Sequence, residues 1–289
     1  MSQDAKGLIF LSSENAIITE TLNAALAPEE PRREPMELKI ADFDDSEYHL
    51  HISPDNKNKL IISVKMRCIK EILPMGAKAT VDALYGKILE NTPQSGFDLS
   101  FGINLDNLPY PKPELIKNVS ELRKNLLGAP IKRMFEALNA GNQATLKPML
   151  IPYREKEILL LSPGSDRILV NFSVVFEDET DRAIAQVFLQ EFCDAPKKVN
   201  GAPTITFSKD PNPEVSKAAG FKEQSNTVGY IQFQILKSHV AGNKLDGLAT
   251  QLVGFRSYLH YVCFFCYYYY YYLYSILTYI YIFHAIYKK

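Results

Sequence analysis

One passage occurs twice in this chain, and that duplication limits the fold more than any total. Ile52-Ser53-Pro54, a polar turn and the run Lys59-Leu60-Ile61-Ile62-Ser63-Val64-Lys65-Met66 make the first copy. Leu161-Ser162-Pro163, a polar turn and the run from Arg167 to Phe176 make the second. With Ser63 set against Ser173, the copies lie 110 residues apart. Each is followed by an acid-bearing turn and an amphipathic helix. A repeat of this length is a duplicated domain rather than a solenoid unit. It predicts an α/β chain of the α+β type, with two similar lobes, each an antiparallel-rich sheet with helices packed on it.

The local patterns agree. Ile17, Ile18, Leu22 and Leu26 suggest an opening helix over 14–26, and three prolines make 28–35 a polar linker. Met36 to Phe43 alternates as a strand, and Asp44-Asp45-Ser46 is a turn. Tyr48, Leu50 and Ile52 share one face of the next strand. Leu60, Ile62, Val64 and Met66 share one face of a third, leaving Lys59, Ser63 and Lys65 opposite. Val81, Leu84, Tyr85, Ile88 and Leu89 form the stripe of a helix over 77–90. Pro111 and Pro113 open a helix through Leu127, and Gly128-Ala129-Pro130 is expected to break it before a short helix over 131–138. In the second copy, Thr180 is expected to cap a helix whose buried stripe is Ile184, Val187, Phe188 and Phe192. Strands follow at Thr204–Phe207 and Gly229–Leu236. The predicted units are a first lobe over 1–128, a second over 129–242, the start of a projecting helix over 243–261, and a tail over 262–289.

That last helix carries Leu245, Leu248, Leu252, Phe255 and Leu259 at spacings of 3, 4, 3 and 4. The pattern is a heptad-like seam, narrower than the stripe of a helix lying on a sheet. It fits either an ordinary core helix or a helix that pairs with another, within the chain or on a partner.

Chemistry is hard to find. The 289 residues carry 32 basic and 33 acidic side chains, a formal charge of −1, which argues against bulk electrostatic binding to nucleic acid. Four cysteines in a chain this long make no disulfide framework, and Met1 to Lys6 lacks the start of a secretory signal, so a cytosolic location is expected. His49 and His51 share a strand face without a third ligand and are expected to face solvent. Asp42, Asp44 and Asp45 lack the spacing of a calcium loop and read as a turn. Cys263-x-x-Cys266 has no second pair at metal spacing. No phosphate loop, dinucleotide fingerprint or nucleophile elbow is present. No catalytic, cofactor-binding or metal-binding residue is therefore assigned. Residues 112–133 are locally basic, through Lys112, Lys117, Arg123, Lys124, Lys132 and Arg133. They form either a solvated helix face or a surface for an acidic protein. These features favour a two-lobed binding or scaffold protein over an enzyme.

The ordered set Glu37-Leu-Lys-Ile-Ala-Asp-Phe-Asp44, Tyr48-His49, Leu84-Tyr85-Gly86, Pro93-Gln-Ser-Gly-Phe97 and Leu105-Asp-Asn-Leu-Pro109 resembles the family of subunit 2 of the actin-related protein 2/3 complex. So does its continuation: Tyr153-Arg154, Asp166-Arg167, Val174-Val-Phe176, Val187-Phe-Leu-Gln-Glu-Phe192, Gly229-Tyr230-Ile231 and Phe255-Arg-Ser-Tyr-Leu-His-Tyr261. The resemblance spans nearly all of 14–261. It implies a non-enzymatic scaffold subunit without cofactors, located in the cytoplasm and cortical actin cytoskeleton. Its partners would be subunit 4, the two actin-related subunits and the side of a pre-existing filament, from which a new filament branches; neither nucleic acid nor a membrane would be one. The seam at Leu245–Leu259 would then join subunit 4. Arg123, Lys124, Lys132 and Arg133 would touch the filament, because they cluster.

The family's last helix continues, rich in Lys and Arg, beyond the position of Tyr261. Here residues 262–287 contain no Asp, Glu, Lys, Arg, Gly or Pro and hold ten of the 17 tyrosines. Three readings compete for this tail: a membrane span, an alternative terminus, and translated intron. The first would make the chain a tail-anchored membrane protein with a cytosolic two-lobed domain; its length fits, but six adjacent tyrosines suit membrane depth poorly. The third is favoured, because valine codons begin with the GT of an intron boundary and the composition changes abruptly at Val262.

Overall fold

The computed structural model describes residues 12–27, 34–194 and 202–261. Two antiparallel sheets make two lobes, and both copies of the repeat are hairpins. In the first lobe, β1 (Met36–Asp42), β2 (Ser46–Ser53), β3 (Asn56–Met66) and β4 (Leu99–Asn104) pair in sequence order. In the second, β5 (Met149–Ile151), β6 (Leu159–Pro163), β7 (Arg167–Val175), β8 (Thr204–Ser208) and β9 (Thr227–Leu236) take the order β5-β6-β7-β9-β8. Thus β1-β2-β3 corresponds to β5-β6-β7, and β4 to β9. The second lobe adds β8 as an edge strand.

The period-two reading holds where it was strongest. Tyr48, Leu50, Ile52, Leu60, Ile62, Val64 and Met66 are all buried. The opposite face of the first sheet is less open than alternation suggests. Ser63 bonds Ser100 there, hydroxyl to hydroxyl, at 2.7 Å. His49 is buried, correcting the expectation that it faces solvent. Its Nδ1 lies 2.8 Å from Gln94 Oε1, and its ring stacks on those of His51 and Phe97. The loop over 93–97 covers this part of the sheet, and no period in β2 announces that cover.

The helices carry several corrections. α1 (Ala16–Ala25) is capped by Asn15, buries Ile18 and Leu22, and leaves Ile17 exposed. After β3 the chain enters α2 (Ile69–Ile72), a π-helical segment (Leu73–Ala77) and α3 (Lys78–Tyr85), so the expected helix begins later and ends earlier. α4 (Lys112–Ser120) and α5 (Leu122–Ala140) meet at Glu121, and α5 is not broken at Gly128-Ala129-Pro130. A proline inside a helix costs about 3 kcal/mol. Here Leu122, Leu126, Leu127, Ile131, Met134, Phe135 and Leu138 are all buried on the same helix, and each buried apolar side chain contributes roughly 1.5–3 kcal/mol. The packing outweighs the local preference. The division at 128/129 consequently falls inside one helix.

α6 (Glu179–Asp194) is capped by Asp178 rather than Thr180: the Asp178 carboxylate accepts from Thr180 N and Asp181 N. Ala185, Leu189 and Cys193 are its most buried side chains, Ile184, Phe188 and Phe192 are partly buried, and Val187 is 63% exposed, off the stripe assigned to it. α7 (Pro213–Ser216) and α8 (Lys237–Val240) are single turns. The positive φ of Gly229 and its approach to the neighbouring strand accompany a bulge in β9, where Val228 is the extra residue opposite Val174 and Val175. A Cβ on Gly229 would sit 2.4 Å from the Ser208 carbonyl oxygen.

The last described helix, α9, covers residues 244–261. Leu252, Phe255 and Leu259 are buried, and Leu245 and Leu248 pack partly against the same core. Ala249, Val253, Arg256 and Ser257 are buried too, so the covered arc is wider than a seam. Phe255 meets Phe172, Phe192 and Phe233 at ring separations of 5.2–5.6 Å. Over the described residues α9 therefore lies on the second sheet, and the seam is filled by the chain itself. Cys263, Cys266 and the whole tail lie outside the described residues.

Candidate functional site at the joint between the lobes

The densest set of buried charge lies where the β1–β2 turn of the first lobe meets the β5–β6 connection of the second. Asp44 and Asp45 turn the chain with φ of 59° and 50°, in the left-handed region that Asp tolerates better than most side chains. The turn buries Asp44 and leaves Asp45 exposed. Arg123 reaches up from the first turn of α5, and its Nη1 donates to Asp44 Oδ2 at 2.6 Å. Its Nε lies 3.6 Å from Asp42 Oδ2, and its guanidinium covers the Phe43 ring. Burial pushes the Asp44 carboxyl above the usual range, and the Arg123 charge opposes that rise.

The second lobe supplies the other end. Glu157 is 3% exposed, yet its carboxylate is surrounded by donors. Arg256 Nε, from α9, lies 2.7 and 2.8 Å from its two oxygens. Val175 N donates to Oε1 at 2.8 Å, the Tyr153 hydroxyl donates to Oε2 at 3.2 Å, and Arg154 Nε stands 3.5 Å away. Arg256 Nη2 also donates to the Val175 carbonyl at 3.0 Å, and the guanidinium covers Phe176. Burial and the neighbouring Glu157 charge push the Tyr153 hydroxyl well above its ordinary range. The two ends touch through Asp45, whose Oδ2 accepts from Glu155 N at 2.6 Å.

A cleft of about 390 Å³ opens beside this joint, lined among others by Glu71, Arg154, Glu155, Lys222, Phe221 and Tyr230. Its charges are mixed, and Lys156 on its wall is engaged by Glu177 at 2.6 Å. Among the described residues no group of three or more His, Cys, Asp or Glu side chains is placed to hold a metal ion. The buried carboxylates are occupied by guanidiniums. What this arrangement does is hold one lobe against the other.

The four basic residues assigned to a filament surface are not brought together on one exposed face. Arg123 is 7% exposed and bound to Asp44, so it is a joint residue. Lys124 pairs with Glu121 and is largely covered. Lys132 reaches Asp246 of α9 at 2.7 Å. Only Arg133 of the four is exposed, while donating to the Pro74 carbonyl. Helical spacing separates 123–124 from 132–133 by about 13 Å along the axis. Charge counted along the chain suggests a patch because it ignores which carboxylates come from elsewhere.

The joint has no linear signature, because Arg123 and Asp44 are 79 residues apart and Glu157 and Arg256 are 99 apart. The usable signal was the resemblance itself. Asp42-Phe-Asp44, Tyr153-Arg154, Val174-Val-Phe176 and Phe255-Arg256 all converge here.

Fold and site together define a class: a two-lobed α+β protein whose buried charges join its parts. The family described as "Arp2/3 complex, 34 kD subunit p34-Arc" matches residues 62–271, more than half of the chain. An Actin-related protein 2/3 complex subunit 2 from Dictyostelium discoideum is 32% identical over 77% of this chain and 74% of its own length. Another, from Schizosaccharomyces pombe, is 30% identical over 88% of this chain and 86% of its own. The chain belongs to the p34-Arc family. The match extends past Tyr261 to residue 271, so it does not itself mark a break at Val262.

Proposed function

We propose that the chain serves as a structural, non-enzymatic subunit of the Arp2/3 complex. It pairs with subunit 4, and the pair holds the actin-related subunits and meets the side of a pre-existing filament in cortical actin. The observation that carries this reading is that the family match runs from β3 in the first lobe through α9. The joint supports it, because a scaffold must hold its two halves at a fixed angle.

Pairing with subunit 4 falls to the exposed side of α9, since the seam is already covered. That side carries Gly247 and Gly254, seven residues apart, with open space above both, so another helix can approach closely. Replacing Gly254 with Leu raises helix propensity while filling that space. The expected result is a chain at least as stable that recovers even less subunit 4 in a pull-down than the chain as written does; equal recovery refutes this face. For the filament, Arg133 is the basic side chain of choice. Arg133→Glu is expected to weaken co-sedimentation of the assembled complex with filaments without lowering the melting temperature. Equal co-sedimentation removes it.

Residues 262–289 are read as translated intron. A dominant transcript encoding the tyrosine run overturns that reading. The chain as written is expected to pair poorly with subunit 4, and recovery of the intact complex at normal yield refutes it. Among the described residues no helix is long and apolar enough to cross a membrane.

A further inference from the structure

We infer that Arg256 is a positioning residue through which α9 sets the contact between the lobes. The path is continuous. Arg256 holds the Glu157 carboxylate, and Glu157 closes the turn over 154–157, in which Arg154 N and Glu157 N each face the other's carbonyl at 3.4 Å. Inside that turn lies Glu155, whose amide is the donor to Asp45 of the first lobe. Release of Arg256 leaves a carboxylate at 3% exposure without its principal cation. A buried charge in that condition moves toward water, and it can do so only by carrying the turn with it. The amide of Glu155 then leaves Asp45. The angle between the lobes is thus tied to the seating of α9, and a partner that displaces α9 is felt in the first lobe. This rests on contacts within the chain and not on which subunit it meets.

The test is hydrogen exchange on the full chain. Arg256→Met is expected to speed exchange of the Glu155 amide by roughly tenfold or more, while those first-sheet amides that exchange by local fluctuation rather than by global unfolding keep their protection. An unchanged Glu155 amide overturns the proposal. So does acceleration of all these amides together, because Arg256 would then only hold the fold. Coupling between two sites is reciprocal, so the exposed end gives a second test that does not threaten folding. Asp45→Gly removes the acceptor and accommodates the positive φ. It is expected to speed exchange of the α9 amides around Arg256, and unchanged α9 exchange in this variant overturns the proposal even if Arg256→Met fails to fold.

Discussion

The two ends of the joint use the same pair of ions in different ways. At the first-lobe end, one guanidinium from α5 stands between two carboxylates, and Asp44 Oδ1 has no protein partner. At the second-lobe end, one guanidinium from α9 faces one carboxylate that is also served by a backbone amide, a phenol and Arg154. A buried ion pair is tolerated when its remaining hydrogen-bonding capacity is used. By that measure the hydrogen-bonding capacity of Glu157 is used, whereas burial raises the Asp44 carboxyl and one of its oxygens stays without a partner. The duplicated scaffold therefore carries one stiff anchor and one that yields.

The contrast breaks most visibly at Arg256. Arg256→Met is expected to cost about 3–5 kcal/mol in chemical denaturation, and adding Glu157→Leu should restore most of the loss. If the double variant is no better than the single, the pair is not the unit. Arg123→Met should cost less, because Asp44 escapes by protonation. The sign follows from the folded state: a carboxyl raised by burial binds its proton more tightly folded than unfolded, so its unfavourable effect grows as pH rises above the ordinary value of 3.8. The deficit of Arg123→Met is therefore expected to shrink between pH 7 and pH 5, and a deficit that widens contradicts the contrast. Tyr153→Phe removes one donor from a carboxylate with several and should cost about 1 kcal/mol. Smallest is the surface cap at Asp178, whose carboxyl is held low by the amides of Asp181 and Thr180. Its support is present above the ordinary value of 3.8 and is lost as pH falls through the lower folded value, so exchange in the first turn of α6 should rise only in that acid window.

Much of this fold was legible from periodicity. Leu60 to Met66 and Ile168 to Val174 announce strands because one face of each sheet is buried, and the repeat announces two lobes. The failures share one cause. Pro130 stands in a helix, His49 is covered and Val187 is exposed because packing between elements overrides local preference, and none of those neighbours is near in sequence. Arg123 is the sharpest case. Its type and surroundings indicated a surface cation, and only the position of Asp44 shows that its charge faces inward.

The uninterrupted run of α5 through Pro130 has a consequence for how the chain can be divided. The duplication that built the two lobes left no seam between them at that point. A division at 128/129 would cut one helix that buries Leu122, Leu126 and Leu127 before the cut and Ile131, Met134 and Phe135 after it. The halves are interlocked rather than linked. As separate polypeptides they would need each other during folding, so the repeat is a record of ancestry and not a line of separation.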